Sequence, residues 1–121
     1  MKESAVQTNI RLALGGRDCV LWRNETGATV PVTIDELKAA KLDPRVIDRL
    51  LARGLLSYGL CKGSSDLIGM RREDGRFVAI EVKRPGGNRR PEQHNFIELV
   101  RSFGGLAGFA ENIEQARSII K

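Results

Sequence analysis

The stretch SSDLIGMRREDGRFVAIEVKRPGG, Ser64 to Gly87, decides how this chain is read. LIGM and RFVAIEVK are apolar runs of strand length on either side of REDG, so the segment predicts a β-hairpin. Asp74-Gly75 is a strong two-residue turn signal. With those two residues as the turn, Glu73 opposes Arg76, Asp66 opposes Lys83 and Ile68 opposes Glu81. Directly opposed residues share a face, so Asp66, Glu81 and Lys83 project from one side of the hairpin. Asp66 would face Lys83 at about 5 Å and lie diagonal to Glu81 at about 7–8 Å. The remaining residues of the second strand, Val78, Ile80 and Val82, bury the opposite side, with Phe77 and Ala79 continuing the first side as core.

Outward from the hairpin, the chain alternates helical and extended patterns. Val6, Ile10 and Leu14 recur at helical spacing between Glu3 and the Gly15-Gly16 stop. At about 100° per residue, Glu3 and Gln7 fall on the same side as that apolar stripe. DCVLWR (18–23) predicts a first strand, followed by the turn-rich loop RNETGATVP. Thr33 and Glu36 form a capping box for IDELKAAKL, and Asp43-Pro44 opens PRVIDRLLAR, which Gly54 closes. This helical insert spans about 33–54. Pro91 starts the helix PEQHNFIELVRSF, whose inward stripe is Phe96, Ile97, Val100 and Phe103, with Gln93 in line with it. LAGFA forms a last strand, and Asn112 caps the helix IEQARSIIK. The expected order is αβββαβ, with the insert after the first strand and a C-terminal helix: a single α/β domain over 1–121 with a central mixed sheet flanked by helices.

The 121 residues suit one globular domain. Lys and Arg number 20 against 15 Asp and Glu, a net charge of +5 that favours a polyanionic partner such as nucleic acid. Two isolated cysteines, Cys19 and Cys61, predict no disulfide framework and a reducing, cytoplasmic setting; Cys19 reads as a buried small hydrophobe. A single histidine makes Cys/His zinc sites hard to assemble, and His94 reads as an exposed helical residue. No apolar run approaches the roughly 20 residues of a membrane span. Trp22 and Tyr58 read as core aromatics, and Arg71 and Arg72 as exposed charges at the far end of the hairpin.

The chemistry lies in the polar residues set on apolar faces. Paired carboxylates, a backbone carbonyl and open positions suit a hard cation such as Mg²⁺. A lysine beside them can orient a water and neutralise phosphoryl charge, which completes a kit for phosphodiester hydrolysis.

KGSSDLIGM, FVAIEVKRPGG, PEQHNFI, RNETG and the early Glu3 together resemble the virus-type replication-repair nuclease (VRR-NUC) domain of the PD-(D/E)XK nuclease superfamily. By that resemblance Asp66 and Glu81 correspond to metal-binding acids, with the Val82 main-chain carbonyl as a further ligand. Lys83 corresponds to the catalytic lysine, Glu3 to the helix acid, which would bind or position a second ion or water, and Gln93 to the accessory glutamine. Ser65 stands where the superfamily's naming motif has proline, a departure common in this family. The resemblance implies cleavage of DNA with Mg²⁺ or Mn²⁺ in a bacterial or phage-infected cell. Stand-alone members of this size resemble homodimeric resolvases of four-way (Holliday) junctions, whereas domains fused to larger repair proteins act on flaps. The alternatives are a monomeric flap or end-processing nuclease and a non-catalytic nucleic-acid-binding module. Arg84, Arg89 and Arg90 flank the Pro85-Gly86-Gly87 turn where DNA phosphates would pass. Ser64, Ser65, Arg23 and Asn24 are further candidate DNA contacts.

Overall fold

The computed structural model describes residues 2–29, 34–53 and 56–121. In chain order the elements are α1 (Glu3–Leu14), β1 (Cys19–Arg23), β2 (Gly27–Thr29), α2 (Ile34–Ala39), α3 (Pro44–Arg53), β3 (Leu56–Tyr58), β4 (Leu67–Arg71), β5 (Phe77–Val82), α4 (Pro91–Ser102), β6 (Leu106–Ala110) and α5 (Ile113–Ile120). The chain divides into two compact units, Met1–Glu25 with Leu60–Lys121, and Thr26–Gly59.

The larger unit is an α/β layer structure on a four-stranded sheet ordered β1-β4-β5-β6. β1, β4 and β5 are antiparallel, whereas β5 and β6 run parallel. A parallel pair requires a crossover, and α4 supplies it. This is the mixed sheet flanked by helices expected of a PD-(D/E)XK-like core. Val78, Ile80 and Val82 point to one face and are buried against Val6, Ile10 and Leu14 of α1 and Ala116 and Ile120 of α5. Ala79 points to the other face, where Phe96, Ile97 and Val100 of α4 cover it together with Ala107. β5 is therefore apolar on both sides, as a strand covered by helices on both faces should be. Cys19 is buried and donates its thiol to the Leu14 carbonyl (3.6 Å), while Cys61 is exposed.

The smaller unit holds α2 and α3, as expected, and a two-stranded antiparallel sheet of β2 and β3. That sheet corrects the reading of RNETGATVP as loop alone. Strands of three residues are too short for alternation to register in a sequence pattern. The Thr33 half of the capping box and the Gly54 stop lie outside the described residues, as does the Tyr58 side chain.

The hairpin register differs from expectation. Leu67 opposes Ile80, Ile68 opposes Ala79 and Met70 opposes Phe77. Asp74-Gly75 is not a two-residue turn. The Arg71 N–H bonds the Arg76 carbonyl (2.9 Å), which closes a four-residue loop over 72–75. The reason is a side-chain clasp: Arg71 makes two bonds to the Asp74 carboxylate (3.1 and 2.6 Å), and Asp74 Oδ1 also accepts the Arg76 N–H (3.2 Å). Arg71 further donates to the Ile120 carbonyl (3.1 Å), so it is largely buried rather than exposed, and Arg72 bonds the carbonyls of Arg17 (2.5 Å) and Gly16 (3.2 Å).

Three apolar residues also depart from the expected core. Phe103 is 86% exposed, because α4 ends at Ser102 and Phe103 turns off the stripe as its C-cap. Phe77, at the open end of β5, is 39% exposed. Trp22, on edge strand β1, is 50% exposed.

Candidate active site

The two-residue register shift conserves faces, because side chains alternate with a period of two. Asp66 therefore remains on the side of Glu81 and Lys83, but continuing the observed ladder sets it opposite Glu81 instead of Lys83. Its Oδ2 accepts the Val82 N–H (3.0 Å), which pins the carboxylate at the carboxyl end of β5. In an extended strand the N–H and carbonyl of one residue point the same way, so the Val82 carbonyl is also directed toward β4 and Asp66.

Glu81 is 3% exposed. Its Oε1 accepts from Gln93 Nε2 (3.0 Å) and lies 3.6 Å from Lys83 Nζ. Gln93 is itself buried and oriented, since its Oε1 accepts the Arg90 N–H at the start of α4 (3.0 Å). One side chain thus caps a helix and aims its amide at a carboxylate. Pro91 at the first helical position and the short turn after β5 bring this helix end to the strand end.

Burial raises the Glu81 carboxyl to about 8, and the neighbouring Asp66 charge adds to that rise. Lys83 opposes the effect without cancelling it; its 3.6 Å separation is long for a charge-assisted hydrogen bond. Burial also raises Asp66, against the lowering pull of the Val82 N–H. Two carboxylates that cannot both ionise in a buried setting will share a proton or take up a cation. The remaining Glu81 oxygen, Oε2, is buried with no N–H or hydroxyl donor among the described residues, and the Asp66 carboxyl lies within hydrogen-bonding reach of Glu81. An orphaned carboxylate oxygen beside a second acid fits a hard divalent cation, so the residues present suit Mg²⁺ or Mn²⁺.

Glu3 lies at the edge of this arrangement. It faces a groove of about 500 Å³ together with Lys2, Lys83, Arg84, Asn88 and Arg90, and its charge contributes only weakly to the Asp66 shift. Among the described residues no three acidic, histidine or cysteine side chains form one metal-binding cluster. Lys2 and Asn88 were not singled out by sequence; a terminal lysine and a loop asparagine carry no pattern that would mark them.

The candidate DNA contacts separate into two groups. Arg84 is exposed and makes no ion pair among the described residues, and Arg90 lies 3.9 Å from Glu92. Arg89 is instead tied down, stacked 4.6 Å over the Phe109 ring and 3.6 Å from Glu111. The exposed His94 also meets that ring, at 4.8 Å. Ser64 and Ser65 are buried. Asn24 spends its amide on the Ser64 hydroxyl and the Ser65 carbonyl (both 2.9 Å), and its N–H on the Asp66 carbonyl (2.7 Å). It clamps the approach to β4 and so sets where Asp66 stands. Arg23 is exposed and pairs with Glu25 at 3.1 Å. The loop ahead of β4 is further fixed at Gly63, whose φ of +87° and contact with the Glu92 carbonyl leave no room for a Cβ.

Comparison with known protein families matches residues 2–112 to the VRR-NUC domain. The chain belongs to the VRR-NUC family. VRR-NUC domains are nucleases of the PD-(D/E)XK type, and phosphodiester hydrolysis of DNA is the activity this membership implies. The match runs through α1, the hairpin, α4 and β6, and it includes Glu3, Asp66, Glu81, Lys83, Arg84, Arg90 and Gln93. No curated protein matches the chain closely enough to be counted a relative. No described helix of this VRR-NUC domain is long and apolar enough to cross a membrane.

Proposed function

We propose that this VRR-NUC domain is a Mg²⁺-dependent endonuclease of branched DNA, acting on four-way junctions as a homodimer. The observation that carries the catalytic part is the orphaned, buried Glu81 Oε2 beside Asp66, with Lys83 at 3.6 Å from the other Glu81 oxygen. Asp66, Glu81 and the Val82 carbonyl would hold Mg²⁺ or Mn²⁺, which supplies Lewis-acid stabilisation of the phosphoryl group and an acidified water. Gln93 keeps Glu81 in place, so the carboxylate needs little reorganisation when charge develops. Lys83 brings a positive charge from the buried pair to the groove, where it orients the attacking water or offsets charge on a phosphoryl oxygen. Arg84 and Arg90, on the same groove, contact the DNA backbone. Glu3, which lines the same groove, positions a second water or ion there.

The junction and dimer assignments rest on the family resemblance together with a symmetry argument. Each chain carries one Asp66–Glu81–Lys83 constellation, and paired cuts across a junction need two sites related by a two-fold axis.

The test is cleavage of labelled four-way junction, flap and duplex DNA with Mg²⁺ by wild type, Asp66→Asn and Lys83→Ala, with the mass measured by sedimentation. Cutting of the junction by a two-chain species, lost in both variants, is expected. A wild type that binds all three DNAs and cuts none is a binding module. A one-chain species that cuts flaps and spares junctions is a monomeric end-processing nuclease.

A further inference from the structure

Trp22 stands on the catalytic face of the sheet and is half exposed there. It opposes Ile68 of β4, and Ile68 is two residues from Asp66, so the three share one face. Strand geometry sets the Trp22 and Asp66 backbones about 8 Å apart. The helix on this face, α4, buries Ala79 of β5 and Ala107 of β6, and its core takes in no residue of β1 or β4. The next row along, Val20 opposite Met70 opposite Phe77, is partly exposed as well. An apolar strip with an indole at its head thus runs directly away from the acidic pair.

We propose that Trp22 is a stacking platform for a nucleobase of the DNA bound at the Asp66–Glu81 pair, and that it selects bases whose face is open. The proposal rests on the nuclease reading. An interior pair of a duplex has both faces covered by its neighbours and offers nothing to an indole. A nucleotide at a branch point, flap or strand end does, and stacking there is sequence-tolerant because every base has a π-face. The basic groove at Lys83 holds the backbone, and the strip that begins one row beyond the acidic pair receives the base. Separation of about 8 Å places that base within one or two nucleotides of the phosphate at the acids.

Trp22 is the only tryptophan in the chain, so its fluorescence reports on this position alone. Binding is measured without divalent metal, at fixed salt, to a four-way junction, a flap and a long blunt duplex. Quenching by junction and flap but not by long duplex is expected. Trp22→Ala should lose about tenfold in affinity for junction and flap while holding its duplex affinity, and Trp22→Phe should keep most of the discrimination. Equal quenching by all three DNAs overturns the proposal. So does an equal loss on all three in Trp22→Ala, and the wild-type fluorescence decides the matter even if that variant misfolds. A protein that discriminates through Trp22 yet never cuts with Mg²⁺ retracts the nuclease reading alone. One that cuts junctions while Trp22→Ala binds them at wild-type affinity retracts the stacking platform alone.

Discussion

Replacing Glu81 by Gln should stabilise the metal-free protein at neutral pH while abolishing its cleavage. The unfolded chain releases the Glu81 proton near its ordinary value of 4.5, whereas the folded chain holds it until about 8. Between those values the native state binds more protons than the unfolded state, so stability falls as pH rises. It is fully present below 4.5 and lost by about 8, and Asp66, shifted in the same direction, adds to the slope. From pH 5 to 7.5 the shift amounts to about 3 kcal/mol at 1.36 kcal/mol per unit, an upper figure because water at the open side of the groove screens part of it. Glutamine keeps an oxygen for the Gln93 amide and cannot ionise, so its stability curve should fall less steeply over that range, with only the Asp66 contribution left. Urea unfolding followed by circular dichroism, with chelator present, at half-unit steps from pH 5 to 8 measures both curves. Added Mg²⁺ should restore wild-type stability most at the alkaline end, where it competes with fewer protons, and leave Glu81→Gln unmoved. Parallel wild-type and variant curves would refute the idea that burial and Asp66 hold a proton on Glu81.

Lys83→Ala should reduce single-turnover cleavage by about 10²- to 10⁴-fold, with metal-free DNA affinity measured by anisotropy changing only a few-fold. Gln93→Ala leaves the Arg90 N–H and Glu81 Oε1 each short of a partner; a loss of about 1–2 kcal/mol in urea unfolding and a slower cleavage rate are expected. Arg84→Ala and Arg90→Ala should each lower DNA affinity and reduce the slope of log K against log salt by about one, without changing stability. Arg89→Ala should do the reverse, costing about 1 kcal/mol of stability through its contacts with Phe109 and Glu111, with a smaller change in the salt slope.

Much of the site was legible in sequence because its signals are local. Glu81 and Lys83 two apart on a strand, Asp66 at odd spacing from both across a hairpin whose loop has an even number of residues, and Gln93 on the apolar stripe of a helix all follow from the periods of strand and helix. The division of the basic residues was not legible. Arg84, Arg89 and Arg90 look alike in the chain, and the difference is that Phe109 and Glu111, 20 and 22 residues beyond Arg89, come to lie beneath it. Ser64, Ser65 and Asn24 looked like ligand-facing polar residues; the Asn24 amide bonds the Ser64 hydroxyl and the Ser65 carbonyl across the start of β4, and the Ser65 hydroxyl is buried with no partner among the described residues.

The sequence by itself determined which residues share a face, since within a strand that depends on even spacing and across the hairpin only on the loop having an even number of residues. The hairpin could slip by two residues without moving Asp66 off the side of Glu81 and Lys83. Only the tertiary structure decided which of those two Asp66 stands against, because the turn length is set by Arg71 gripping Asp74 while its guanidinium is held by the Ile120 carbonyl of α5. The depth of burial that lifts Glu81 to about 8 was decided there as well: it comes from α4 closing over β5 through Gln93, a contact between residues 12 apart in the chain that no local period encodes.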